Sequence, residues 1–260
     1  MSVGADRDFV EHITWDEVAR RIERGAAAIL PIGAGAKQHG LHLPLNTDRI
    51  QAEWLSARLA ERIDALIWPT LTYGYYPAFV EYAGSTSLSA ATFEAMVAET
   101  ASEILRHGCR VLFVLDTGIS TRASVERALA RLEVANALHL RVHGGPRYRR
   151  AAAALAEQGH GSHADELETS LMLAIAPELV EMSRAEASPA IAQAVPGRLT
   201  PSNTASPNYS RSGSFGDPTL ATLEKGEALL AAITDDLAEQ ATSFVAELSA
   251  SPGRTRGAVS

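Results

Sequence analysis

Apolar runs with strand character alternate along the chain with stretches whose apolar residues recur at helical spacing. Residues 26–32 (AAAILPI) are continuously apolar and end in Gly33-Ala34-Gly35, which predicts a buried strand opening into a loop. Asp48 is followed by Ile50, Ala52, Leu55, Leu59 and Ile63 at helical intervals. Residues 65–71 then predict a second strand, with Pro69 placing its end near a sheet edge. A helix is expected over 90–106, and residues 110–115 (RVLFVL) read as the strongest strand, closed by the turn Asp116-Thr117-Gly118. Further on, the pattern predicts a helix over 124–134, a strand over 138–142, and helices over 148–158 and 163–176, the last stopped before Pro177. A final helix spans about 220–248, with Gly226 as a weak point. Near the start, Thr14 and Glu17 have the spacing of a capping box for a short helix through Arg24. Residues 183–216 show no period and predict a long loop or flap, and 251–260 predict a disordered tail. Strands alternating with helices mark an α/β protein with a mostly parallel central sheet, here one domain over residues 1–250.

Composition narrows the function. The chain has 260 residues, 46% of them hydrophobic, enough to bury a large core without covalent or metal staples. Its net charge of −8 argues against general nucleic-acid binding, which needs a basic surface. Cys109 stands alone, so no intramolecular disulfide can form. Residues 1–10 lack the apolar run of a signal peptide, and no stretch reaches the roughly 18 apolar residues of a membrane span. The expectation is a soluble, cytoplasmic protein acting on a small molecule.

In open α/β sheets, ligands bind beyond the carboxyl ends of the strands. Residues 33–48, 73–88 and 116–121 are therefore expected to converge on one crevice. The first carries Lys37-Gln38-His39-Gly40-Leu41-His42 and, further on, Asp48. His39 and His42 offer imidazole nitrogens and Asp48 a carboxylate, the donors that divalent metals take; equally, Asp48 can cap the next helix. A second cluster, His163-Ala164-Asp165-Glu166-Leu167-Glu168, puts His163 and Glu166 three apart at a helix start, on a shared face, where they can shuttle a proton. The aromatic loop with Tyr75, Tyr76 and Phe79 suggests a wall of the substrate pocket, with Ser87, Asp116 and Thr117 at the adjoining loop ends. Other chemistries fit poorly. Gln38 stands where a dinucleotide loop needs its third glycine, no Gly-x-Ser-x-Gly elbow is present, and Cys109 reads as a small buried hydrophobe.

Lys37-Gln38-His39-Gly40-Leu41-His42-Leu43-Pro44-Leu45-Asn46-Thr47-Asp48 resembles the first signature of the creatininase (creatinine amidohydrolase) family. Gly84-Ser85-Thr86-Ser87-Leu88, His163-Ala164-Asp165-Glu166-Leu167-Glu168-Thr169-Ser170-Leu171-Met172-Leu173 and Gly216-Asp217-Pro218 are similar to its later motifs. The resemblance implies a three-layer α/β/α domain, assembled as a homohexamer, whose two-metal centre hydrolyses cyclic or linear amides. It puts a bridging carboxylate on Asp48, a metal-ligating histidine on His39, a catalytic histidine on His163 and a further active-site carboxylate on Glu168. Two positions depart from the pattern. Lys37 stands where the family has a metal-ligand glutamate, and Gly118 where it has a histidine, and both lost ligands would serve the same ion. The expectation is that Lys37 fills the place of that ion and pairs with Asp48 or Asp116. One divalent metal (Zn, Mn or Fe) would then stay on His39 and Asp48 with help from His42, His163 or Glu168, or both ions would be gone, while Lys37, His163 and Glu166 act as the catalytic side chains. The rival expectation is a catalytically silent or non-hydrolytic relative that binds a small ligand or acts in a biosynthetic pathway.

Overall fold

The structure, a computed structural model, describes residues 5–188 and 197–250, so the expected tail over 251–260 lies outside the described residues. Strands β1 (Ala27–Ile32), β2 (Ala65–Ile67), β3 (Leu112–Asp116) and β4 (Ala137–Arg141) form one parallel sheet in the order β2-β1-β3-β4. Helices α1 (Trp15–Glu23), α2 (Thr47–Ala60), α3 (Ala90–Arg106), α4 (Arg122–Arg131), α5 (Pro146–Leu155), α6 (Glu166–Ile175) and α7 (Leu223–Ala250) surround it.

The two-residue period of the strands divides the core. Ala27 and Ile29 of β1 and Phe113 and Leu115 of β3 face α2, α5, α6 and α7. Ala28, Leu30 and Ile32 with Leu112 and Val114 face α3 and α4. Three layers result, α/β/α, as the resemblance implies.

β1 is central yet contains Pro31. The Pro31 carbonyl accepts from Leu71 N at 2.9 Å, so residue 31 turns its backbone polar groups toward the β2 side. There the chain has left the ladder at Pro69, and no donor is missed. This also explains why β2 covers only the first three residues of the predicted strand.

The structure corrects three local expectations. Thr14 precedes α1 without capping its backbone, its hydroxyl donating instead to Asp16. α6 begins at Glu166 rather than His163, because the Asp165 carboxylate accepts from Leu167 N at 3.1 Å and Glu168 N at 3.0 Å and so fixes the first turn. His163 lies before the helix, bridged to Phe215, so His163 and Glu166 do not share a helical face. Gly226 is no weak point in α7. A Cβ there would stand 1.9 Å from the Ser170 carbonyl oxygen, so glycine is what lets α7 cross against α6.

In the order 2-1-3-4 the winding reverses between β1 and β3, and their carboxyl ends open a crevice at the switch point. Gly33 brings the β1 loop onto α2: a Cβ at this position would lie 2.4 Å from the Asp48 carbonyl oxygen. Among the described residues no helix is long and apolar enough to cross a membrane.

Candidate active site

The crevice holds a cavity of about 390 Å³ lined by Lys37, Asp48, Phe79, Thr117, His163 and Glu168 among others. All three loops expected to converge contribute to its wall.

Lys37 and Asp48 are buried together, 7% and 3% exposed, with Nζ 2.6 Å from Oδ2. Lys37 Nζ also lies 5.1 Å from the centre of the Phe79 ring, within cation–π range. Burial pushes the Asp48 carboxyl upward, but the Lys37 ammonium and His39 outweigh it and hold the group well below the usual carboxylate range. Of the two partners expected for Lys37, the structure selects Asp48. Asp116 is turned inward: its Oδ1 accepts from Gly118 N at 2.9 Å and Thr121 Oγ1 at 2.8 Å, and His139 Nε2 approaches Oδ2 at 3.3 Å.

His39 is fully buried. Its Nδ1 lies 2.8 Å from the Lys37 carbonyl oxygen, which can only accept, so Nδ1 carries the hydrogen. Nε2 then faces Asp48 Oδ1 at 3.2 Å and Glu168 Oε1 at 3.7 Å. His163 is arranged in the same way: Nε2–H donates to the Gln38 carbonyl at 2.8 Å, and Nδ1 faces Glu168 Oε2 at 3.7 Å. The two imidazoles stand 4.9 Å apart, and the Phe79 ring lies 4.2 Å from that of His163. Burial, helped by the Lys37 charge, holds His163 well below the ordinary histidine range and so neutral. Burial raises Glu168. Donor atoms of His39, His163 and Glu168 all lie within 4.8 Å of one another. Imidazole nitrogens and carboxylate oxygens gathered this closely, each ring anchored through its other nitrogen, suit a divalent cation.

Other expected site residues sit elsewhere. His42 turns to α6, with Nε2 2.8 Å from Thr169 Oγ1; burial holds it at about 4. Glu166 is fully buried away from the cavity, accepting from Glu157 N at 2.9 Å, Gln158 N at 2.8 Å and Lys225 Nζ at 2.5 Å. Tyr75 packs on the core beneath α3 and α4. Tyr76 is buried with its hydroxyl donating to the Thr86 carbonyl at 2.7 Å, and Ser87 Oγ accepts from Tyr76 N at 3.0 Å. These three build the loop that carries Phe79 to the cavity. Thr117 lines the cavity while its hydroxyl donates to the Ile32 carbonyl at 3.1 Å.

His143 and Tyr148, not expected at the site from the sequence, also line the cavity, their rings 5.1 Å apart. Both follow β4, and the rule about strand carboxyl ends points to that loop as well as to the three considered. Burial, with Arg122 nearby, lowers His143 to about 4, while burial raises the Tyr148 phenol, so both are neutral.

The creatininase model, described as creatinine amidohydrolase, matches residues 11–241. A creatinine amidohydrolase of Pseudomonas putida is 29% identical over 253 residues, covering 89% of this chain and 95% of that protein. A mycofactocin precursor peptide peptidase of Mycobacterium ulcerans (strain Agy99) is 30% identical over 220 residues, covering 80% of this chain and 81% of that one. The solved structure described as creatininase Mn superposes with a TM-score of 0.79 at 26% identity, covering 90% of this chain and 97% of that chain. Sequence and fold agree, and the chain belongs to the creatininase family.

Proposed function

We propose that this protein hydrolyses a C–N bond of a small amide, cyclic or linear, with one divalent ion (Zn, Mn or Fe) in place of the pair implied by the resemblance. The observation that carries this reading is the Lys37–Asp48 contact of 2.6 Å, which puts an ammonium on the carboxylate expected to bridge two ions. Relatives named as an amidohydrolase and as a peptide peptidase support amide-type chemistry.

His39 and Glu168, with Asp48 beside them, would hold the ion, which supplies a Lewis acid for the amide carbonyl. Lys37 remains on the cavity wall, where its positive charge stabilises the oxyanion that develops on that carbonyl. Glu168 Oε1, 3.7 Å from His39 Nε2 and on a carboxyl that burial raises, is the oxygen placed to take a proton from water. Phe79 screens Lys37 and His163 from solvent. Glu166, spent on Lys225 and two backbone donors, takes no part. Homo-oligomeric assembly in the cytoplasm belongs to the same reading; light scattering tests the assembly.

The test is hydrolysis of a panel of small cyclic and linear amides, before and after removal of metal by a chelator. Turnover that is lost on chelation and restored by Zn, Mn or Fe supports the reading. A metal-loaded protein that hydrolyses none of the panel favours the silent ligand-binding relative, which the loss of ligands at positions 37 and 118 also favours.

A further inference from the structure

We infer that His163 is a ligand of the ion, completing a site of two histidines and one carboxylate with His39 and Glu168, and not the free proton carrier that the resemblance makes it. The inference rests on the reading of one bound divalent ion.

A peptide carbonyl cannot donate, so the bond from His163 Nε2 to the Gln38 oxygen at 2.8 Å fixes the hydrogen on Nε2. The bond from His39 Nδ1 to the Lys37 oxygen at 2.8 Å does the same for the other ring. The remaining nitrogens are Nδ1 of His163 and Nε2 of His39, the latter also 3.2 Å from Asp48 Oδ1. Both face Glu168, Nε2 of His39 at 3.7 Å from Oε1 and Nδ1 of His163 at 3.7 Å from Oε2. These two nitrogens and the Glu168 carboxylate, whose Oε2 also accepts from Ala164 N at 2.6 Å, all lie within 4.8 Å of one another. Two imidazole nitrogens and a carboxylate this close together are a donor set that a divalent cation takes. An outer N–H given to a carbonyl is also the support that metal-bound histidines ordinarily have, because it fixes the tautomer and aims the ring.

A proton carrier needs a nitrogen free to exchange protons with substrate. The Nε2 of His163 is committed to Gln38, and its Nδ1 is directed at Glu168 and His39. Asp48 is meanwhile neutralised by Lys37, so the ion's place moves from the Asp48 side toward His163. Three protein donors, with the cavity on the remaining side, is the arrangement of a catalytic site that keeps an open position.

The test uses the full chain, stripped with a chelator and titrated with Co²⁺, read by its visible ligand-field bands and by competition with Zn²⁺. His163→Ala and His163→Gln are compared with His42→Ala. The glutamine keeps an N–H for the Gln38 carbonyl, so a folded protein is available if the alanine variant unfolds. The expected result is one Co²⁺ per wild-type chain, with affinity reduced about tenfold or more and altered bands in both His163 variants, and no change for His42→Ala. Wild-type affinity and bands in the His163 variants overturn the inference while leaving the one-metal reading intact. A wild-type chain that binds no Co²⁺ overturns both. Metal binding that depends on His163, in a protein that hydrolyses no amide, removes the proposed reaction alone.

Discussion

Asp48 divides its two oxygens between different partners: Oδ2 meets Lys37 Nζ at 2.6 Å, and Oδ1 meets His39 Nε2 at 3.2 Å. One carboxylate therefore joins the charge at position 37 to the imidazole cluster. Removing that charge leaves a buried carboxylate without its cation. Lys37→Met is expected to lower stability by about 3 kcal/mol in denaturant unfolding. Lys37→Ala is expected to reduce turnover at least about a hundredfold in a chain that still folds. Near-wild-type rates in Lys37→Ala would remove the oxyanion role.

Lys37→Glu returns a carboxylate to the place where the resemblance expects one. Elemental analysis should then show a second ion binding more weakly than the first, since Gly118 supplies no side-chain donor. Metal content equal to wild type at saturating Zn²⁺ would show that position 37 does not decide the number of ions.

Glu166 and Lys225 form a second buried pair, 2.5 Å apart, on the far side of α6 from the cavity. Burial works against the Glu166 carboxylate, yet the bond from Lys225 and two backbone N–H groups hold it below its ordinary 4.5. A depressed folded-state pKa contributes stability above the unfolded value and loses it as pH falls through the folded value. Lys225→Met should cost about 3 kcal/mol at neutral pH, with the deficit shrinking once the pH drops below 4.5. Metal content should stay at the wild-type level. A deficit that grows in acid would contradict the assignment.

Phe79 touches both His163 and Lys37, with ring-centre distances of 4.2 Å and 5.1 Å. Phe79→Ala is expected to cost about 1 kcal/mol of stability from these contacts, beyond the loss of apolar burial. Comparison with Phe79→Leu in thermal unfolding isolates the aromatic part, and equal losses in the two variants would show that the ring's electrons contribute nothing.

Gly226→Ala should destabilise by about 1–3 kcal/mol, because the new methyl meets the Ser170 backbone and α7 must move off α6. A melting temperature unchanged from wild type would mean that the two helices are not tightly docked.

The limits of α3 were legible because Ser89, at its start, accepts from Thr92 N at 3.2 Å, a local signal contained in the sequence. The parallel sheet was legible from its apolar runs, and Lys37 stood out as a cation among metal-ligand types. The start of α6 was not legible. Residues 163–168 hold four side chains able to serve at a helix start, and only the pairing of His163 with Phe215, 52 positions away in the chain, leaves Asp165 as the cap. That choice separates Glu166 from Glu168 and gives the cavity to Glu168. His143 and Tyr148 escaped notice because Gly144-Gly145-Pro146 between them reads as an ordinary turn.

His39 and His163 are both aimed by main-chain oxygens of neighbouring residues, Lys37 and Gln38. A carbonyl oxygen is the same whatever side chain its residue bears. The orientation of both rings is thus insulated from the chemical identity of residue 37, and an acid can be exchanged for a base there without re-aiming either imidazole. The fold offers a socket whose occupant is interchangeable, so related chains can alter their ion number through single side-chain replacements while keeping one and the same frame.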